Sequence, residues 1–262
     1  MPALKVLQLS DLHVLPHAGD TLLGVDTEYY FARILNEAFQ SHGTFDLVLL
    51  TGDLGQDPTP DSYRRIAGHL RHYATPCLCL PGNHDDWPLM QRELNADALS
   101  CRKQWLFPDW QIIGLNSQKP GSPGGYLAGE ELDFLDRTLA ACTLPALLAM
   151  HHHCVASGSP WMDTMMIENG EELLRIAENY PQVKAITCGH VHQEIAQQQR
   201  TIQIVSAPAS CFQFKPGATE FALDIKPPGY RVFELYADGS LKTACHRIAA
   251  EQPELRLDLN SY

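Results

Sequence analysis

The sequence predicts an α/β fold whose last part changes to hairpins, and three features carry that expectation. Short apolar runs alternate with segments of helical period through the first two thirds of the chain. Five of those runs end in Asp, Asn or His, often behind a glycine, where parallel α/β sheets expose ligand sites. From residue 192 onward the texture becomes strand-turn-strand. With 262 residues and 45% hydrophobic content the chain can bury a large core. No Gly/Ser/Pro-rich linker divides it, so residues 1–262 are read as one domain.

The elements follow in order. Leu4 to Leu9 is a strand ending at Ser10-Asp11. Phe31, Ile34, Leu35 and Ala38 then recur at helical spacing behind Asp26 and Thr27 as caps. Leu47 to Leu50 is a buried strand running into Thr51-Gly52-Asp53. Thr59-Pro60 opens a second helix with Tyr63, Ile66, Ala67 and Leu70 on one face. Cys77 to Leu80 is a strand ending in Pro81-Gly82-Asn83-His84, and Trp110 to Leu115 is another. Glu130-Glu131 start a helix carrying Leu132, Leu135 and Leu139, and Leu147 to Met150 is a strand ending in His151. Asn169 with Glu172 has the form of a capping box for a helix at about 170–179. Val183 to Cys188 is a strand ending in Gly189-His190. Tyr230–Tyr236 and Leu241–Ile248 flank Asp238-Gly239 as a hairpin. Residues from about 250 are polar and predicted to cover the surface loosely.

Composition excludes several classes. Nineteen Lys+Arg against 31 Asp+Glu give −12 with no basic run, which argues against a duplex nucleic-acid or anionic membrane partner. The apolar stretch near Leu144–Met150 is far short of a membrane span, and the first residues lack the apolar core of a signal peptide. The eight cysteines form no C-x-x-C pair and are read as reduced thiols in the cytoplasm, with Cys77 and Cys79 in a buried strand. Oligomeric state is left open.

The chemistry sits in five blocks: Asp11-Leu12-His13, Gly52-Asp53, Gly82-Asn83-His84-Asp85, His151-His152-His153 and Gly189-His190-Val191-His192. In an extended chain residues i and i+2 face one way, so Asp11 with His13, and His190 with His192, would offer paired donors. The glycines let the backbone turn beside a crowded site. Imidazole, carboxylate and amide donors without thiolate suit Mn, Fe, Zn or similar ions. The carboxylate of Asp53 can bridge two of them.

These blocks, in this order over residues 11–192, resemble the signature of the calcineurin-like metallophosphoesterases. Within that superfamily the chain is similar to the class III cyclic-nucleotide phosphodiesterases, and looks closest to the bacterial 3′,5′-cyclic-AMP enzymes. The closer likeness rests on Leu22–Val25, Gly52–Asp57, His151–His153, His190–Glu194 and Gln213–Pro216. The resemblance implies a four-layer α/β/β/α sandwich, with the part at about 192–248 completing the second sheet. It implies hydrolysis of cyclic AMP to 5′-AMP by a hydroxide shared between two metals, Fe and/or Mn, with Zn or Co as alternatives. One metal would be held by Asp11, His13, Asp53 and His192, the other by Asp53, Asn83, His151 and His190. His84 would not be a ligand but a catalytic group beside the phosphate, with Asn83 holding phosphoryl oxygens. Substrate contacts would fall to His13, Asp53, Asn83, His84 and His192. The chain departs from the pattern at His153-Cys154, where many relatives have two prolines, so the roles of His152 and His153 stay open.

Other residues are weighed against plainer roles. His17, His42, His69, His72 and His246 lack partner clusters and read as surface or core histidines. Asp57, Asp85 and Asp86 are either turn residues or carboxylates that support the metal ligands from behind, and Asp85 reads as the latter, orienting a metal-binding histidine. Trp87, Trp161, Phe212 and Phe214 are core or purine-stacking candidates, with Phe214 favoured as a site neighbour. The alternatives to cyclic-AMP hydrolysis are a broader phosphodiesterase, acting on glycerophosphodiesters or other small diesters, and a non-catalytic binding module of the same fold.

Overall fold

The computed structural model describes residues 3–250, 252 and 254–259. The first part runs β1 (Leu4–Leu9), α1 (Thr27–His42), β2 (Leu47–Thr51), α2 (Pro60–Arg71), β3 (Cys77–Leu80), α3 (Trp87–Glu93) and β4 (Leu99–Ser100). The middle runs β5 (Gln104–Leu106), β6 (Gln111–Gly114), α4 (Gly129–Ala141), β7 (Ala146–Ala149), α5 (Pro160–Asp163), α6 (Gly170–Glu178), β8 (Val183–Cys188), β9 (Ala196–Gln199) and β10 (Ile202–Ser206). The end holds β11 (Gln213–Phe214), β12 (Leu223–Asp224), β13 (Gly229–Leu235) and β14 (Leu241–Arg247). Two six-stranded sheets result, in the orders β14-β13-β1-β2-β3-β4 and β5-β6-β7-β8-β10-β9.

Alternation along the strands sorts the core into layers. Val6, Leu47, Leu49, Leu78 and Leu80 of the first sheet meet Ile112, Leu147, Ala149, Ala185 and Val205 of the second. The alternate residues, Leu7, Leu9, Val48 and Leu50, pack outward on Phe31, Ile34 and Leu35 of α1 and on Tyr63 and Ile66 of α2. On the far side Ile113, Leu148 and Ile186 pack on Leu135 and Leu139 of α4 and Leu173 of α6. The outcome is helix, sheet, sheet, helix, as the family resemblance implies.

Strands β1, β2 and β3 are parallel neighbours, as are β6, β7 and β8, so their carboxyl ends lie on common edges. A buried polar bridge locks the two edges together near the site. The amide of Gln8 donates to Thr51 Oγ1 (2.9 Å) and to the Cys188 carbonyl (3.0 Å), and accepts from Thr187 Oγ1 (2.7 Å). Each buried polar atom there finds a partner, which offsets the cost of burying it within the apolar interface.

Three details differ from the sequence reading. The region 192–248 divides: β9 and β10 extend the second sheet, but the β13–β14 hairpin pairs with β1 on the first. Asn169 is the N-cap residue of α6 without a side-chain capping bond, because its amide grips Leu127 instead, accepting from the N–H (3.0 Å) and donating to the carbonyl (2.8 Å). The described tail is not loose. Arg256 N–H donates to the Leu23 carbonyl (2.9 Å), Gln252 Nε2 to the Cys211 carbonyl (2.8 Å), and Leu255 packs on two core clusters. The rest of that stretch, 251, 253 and 260–262, lies outside the described residues.

Candidate metal centre

The five sequence blocks converge at the adjoining carboxyl edges of the two sheets. The first sheet brings Asp11, His13, Asp53, Asn83 and His84; the second brings His151, His190 and His192. Asp11, His13, Asp53, His151, His190 and His192 are buried, whereas Asn83 and His84 are partly open.

The backbone does this differently from the extended chain expected. Among the described residues nine non-glycines have positive φ, and five of them are Asp11 (54°), His13 (47°), Asp53 (50°), His190 (68°) and His192 (47°). Such conformations cost about 1–3 kcal/mol each and persist only where the surroundings over-determine them. Backbone bonds do so here, from Asp11 N–H to the Gly52 carbonyl (3.0 Å) and from His13 N–H to the Asp53 carbonyl (2.9 Å). Between each pair, Leu12 and Val191 turn into separate hydrophobic clusters, which leaves the polar neighbours facing the site. Gly52 has φ of +90°, and a methyl group there would collide with the His151 ring. Gly82 is required by close approach instead, since a Cβ would meet the Asp53 carboxylate.

Two donor groups meet at Asp53. In one, His13 Nε2 lies 3.3 Å from His192 Nε2 and 3.8 Å from Asp53 Oδ2, and His192 Nε2 lies 3.4 Å from Asp11 Oδ1. In the other, His151 Nε2 lies 3.3 Å from Asp53 Oδ2, 3.1 Å from Asn83 Oδ1 and 3.2 Å from His190 Nδ1. Three of the rings are oriented from behind. His151 Nδ1 meets the Thr51 carbonyl (2.8 Å), His192 Nδ1 the Phe212 carbonyl (2.8 Å), and His13 Nδ1 the amide oxygen of Gln56 (2.7 Å). An acceptor behind each ring makes Nδ1 an N–H and turns Nε2 toward the centre, where it offers a lone pair once the ring is neutral. His190 Nε2 is buried with no hydrogen-bond partner. Facing lone pairs and an orphaned imidazole nitrogen fit a site that metal ions complete.

The electrostatics agree. Burial pushes His13 down to about 3 against the pull of Asp53, and burial with the neighbouring histidines holds His190 well below its usual range. Asp53 is depressed although burial opposes it, because His151, His84 and His13 surround it. Burial would also lower His151, but Asp53 outweighs it and lifts the ring to about 9.

Asp85 does not orient a histidine. Its carboxylate accepts from Leu54 N–H (3.1 Å), Gly55 N–H (3.0 Å), Gly82 N–H (2.9 Å) and Tyr63 OH (2.9 Å), clamping the β2 and β3 loops together. Burial, with the nearby Asp53 charge, raises it to about 6. Asp86 N-caps α3 through Leu89 N–H (2.9 Å), and Asp57 is exposed. His152 is tied by Nδ1 to Ser117 Oγ (2.8 Å) and by Nε2 to the Pro123 carbonyl (3.2 Å), while His153 Nε2 faces Asp163 Oδ1 at 3.4 Å.

A cavity of about 450 Å³ opens beside the centre, with Asn83, His84 and His190 among its polar lining and Trp161, Met165 and Phe221 among its apolar lining. Phe214 also borders it but is 2% exposed and stacked on His192 (ring centroids 4.1 Å). Phe212 is buried and stacks on His13 (5.9 Å), and Trp87 belongs to the first helical layer. Gln56, Met165 and Phe221 were not singled out individually from the sequence. Gln56 carried a signal in the Gly52–Asp57 stretch, whereas Met165 and Phe221 carried none.

This arrangement, on this fold, is that of a dinuclear metallophosphoesterase. The family model for calcineurin-like phosphoesterases matches residues 4–194, and the chain belongs to that family. A 3′,5′-cyclic adenosine monophosphate phosphodiesterase, CpdA, from Haemophilus influenzae is 38% identical over 94% of this chain and 91% of its own length. The CpdA of Escherichia coli K12 is 38% identical over 94% and 90%. A 3′,5′-cyclic-nucleotide phosphodiesterase of Nostoc is 34% identical over 95% and 94%. Among solved structures, a dimetal phosphatase from Danio rerio superposes with a TM-score of 0.65 at 13% identity, covering 89% of this chain and 95% of its own. At that identity the likeness concerns the fold alone. No helix among the described residues is long and apolar enough to cross a membrane.

Proposed function

We propose that this chain hydrolyses 3′,5′-cyclic AMP to 5′-AMP, using two metal ions held on either side of Asp53. The observation that carries the reading is the pair of donor groups joined by one carboxylate, at the mouth of a cavity of nucleotide size. The cyclic-AMP phosphodiesterases at 38% identity over nearly the whole chain supply the substrate.

Asp11, His13, Asp53 and His192 would hold one ion, and Asp53, Asn83, His151 and His190 the other. Nitrogen and oxygen donors of this kind suit iron or manganese. When bound, such ions would supply an acidified water and charge to offset that on phosphoryl oxygens. The chain's own part is positioning and proton transfer. The Asn83 amide, its oxygen 3.1 Å from His151 Nε2, orients beside the phosphate. His84 is held by its own N–H, which donates to Asp53 Oδ1 at 2.9 Å, and its ring lines the cavity. From there it serves as the acid that protonates the departing 3′ oxygen. The charge of −12 is no obstacle, because surface repulsion is screened beyond about 8 Å at physiological salt. Eight free cysteines, most of them buried, support a reducing, cytoplasmic setting.

The test is product chromatography after incubation with cyclic AMP, a glycerophosphodiester and a phosphate monoester, each with Mn²⁺ and with chelator. Metal-dependent 5′-AMP formed in preference to the other products is the expected result. Preference for the glycerophosphodiester would move the substrate elsewhere, and a chain that takes up no metal would be a binding module.

A further inference from the structure

The cavity beside the metal centre has a lining of two chemical kinds. Asn83, His84 and His190 offer nitrogen and oxygen atoms for a phosphate, while Trp161, Met165 and Phe221 offer apolar and aromatic surface. A volume of about 450 Å³ lies within the range of small-molecule sites, and such sites fix orientation with a few polar groups and gain affinity from apolar walls. The part of a ligand that meets this wall is therefore flat and weakly polar.

Of the aromatic residues there, Trp161 is the one best set to receive it. Phe214 is consumed by His192 stacking and is 2% exposed, whereas Trp161 stays half-buried at the cavity. Phe214 and Phe221 meet the indole nearly at right angles, at 5.1 and 5.4 Å between centroids, so neither is stacked parallel to it.

The short helix that carries the indole is bonded to a metal-binding loop at its start and braced within its own loop at its end. Ahead of it, Ser159 Oγ accepts from Gln193 Nε2 (3.1 Å), the residue that follows His192, and from Gly217 N–H (2.9 Å). Behind it, the Asp163 carboxylate accepts from Ser157 N–H (2.7 Å) and Oγ (2.6 Å), and stands 3.4 Å from His153, two residues after His151. The ordering of the wall is thus in place before a ligand arrives, which spares that cost on binding.

We propose that Trp161 is the platform on which the purine of the substrate stacks, and so the residue that separates cyclic nucleotides from base-free diesters. The inference rests on the cyclic-nucleotide reading of the metal centre and adds its base-recognition element. Gln193 and Asp163 act as positioning residues for it.

The test compares the metal-loaded enzyme with its Trp161→Ala and Trp161→Phe variants. KM and kcat are measured for cyclic AMP and for 1-O-methylribose 3′,5′-cyclic phosphate, which keeps the ring and phosphate but lacks the base. Loss of one base-aromatic stack should raise KM for cyclic AMP roughly 5- to 150-fold in Trp161→Ala. The base-free substrate should be nearly unaffected, and Trp161→Phe should restore most of the difference. Equal losses on both substrates, or none, would overturn the proposal. Quenching of tryptophan fluorescence by 5′-AMP is read in parallel, as the part present in wild type and missing in Trp161→Phe. Quenching at Trp161 without cyclic-AMP turnover would keep the base site and reject the proposed reaction. Turnover with unchanged KM in Trp161→Ala would keep the reaction and reject the base site.

Discussion

Asp53, within the metal centre, and Trp161, in the lining of the cavity beside it, are held in place by different means. Asp53 is buried, its backbone is left-handed, and its carbonyl and carboxylate accept from the N–H groups of His13 and His84. Trp161 sits half-buried on the four-residue helix α5, fixed by side-chain bonds at Ser159 and Asp163. The metal side is set by main chain under strain and cannot shift without unfolding a loop. The wall is set by side-chain bonds on a separate short helix, so a wall side chain can be replaced while the donor atoms keep their own main-chain supports. Chemistry and substrate choice are therefore separable, and substitutions should fall into one group or the other.

The sharpest break between the two sides is Asp53→Ala. It removes the carboxylate whose Oδ2 lies near a histidine of each donor group, so bound metal should fall from about two ions per chain toward none, with turnover lost to background. Metal analysis of the purified variant decides it, and unchanged stoichiometry would remove Asp53 from the bridging role. Next in size is His84→Ala. Its ring lines the cavity on the metal side, yet the proposed ligand set does not include it. Metal content should stay and kcat fall by about 10²–10⁴-fold, the range for a lost general acid. Loss of metal instead would make His84 a ligand, a role open to it because its ring nitrogen clusters with His13 and Asp53.

Smaller still is Gln56→Ala, which tests whether a residue outside the donor set belongs to the metal side. The Gln56 amide oxygen lies 2.7 Å from His13 Nδ1 and holds that ring in its ligating tautomer. Removing such a partner typically costs 10–100-fold in metal affinity. Titration with Mn²⁺ should show that loss on His13's ion, with KM at saturating metal unchanged. An altered KM with unaltered metal affinity would place Gln56 on the wall side.

The same division explains what could be read from the sequence. Metal binding demands particular donor types, so the five blocks are visible at strand ends, the family resemblance picks Asp11, His13, Asp53, Asn83, His151, His190 and His192 out of them as candidate ligands, and β1, β2, β3, β7 and β8 are visible as apolar runs. The conformation that unites them was not legible. Period-2 spacing suggested extended chain, whereas positive φ at Asp11, His13, His190 and His192 depends on contacts between loops distant in sequence. Asp85 was misread for the same reason: its four donors come from β2 and β3 loops and from α2. The wall was least legible. Tryptophan, methionine and phenylalanine fill cores and bind bases alike, and α5 is too short to show a period. The β13–β14 hairpin was readable as a hairpin, but the sheet it joins is a matter of long-range pairing.

The smallest effect expected is also the one that probes the metal side without mutation. In the metal-free chain burial disfavours the His151 cation, but Asp53, 3.3 Å away, lifts its pKa to about 9, so the ring carries a proton at pH 7. His13 and His190 are held below their ordinary range and are already neutral there. A metal ion that takes His151 Nε2 must displace its proton, because only the neutral ring is a ligand. Loading at pH 7 should then release about one proton from this group, and the affinity of the His151-bound ion should rise about tenfold per pH unit until about pH 9. Calorimetry in buffers of different ionisation enthalpy reads the proton directly. His151→Gln should abolish the release along with that ion, while Trp161→Phe, on the wall side, should leave it unchanged. Proton release that persists in His151→Gln would assign the titrating group to another member of the cluster.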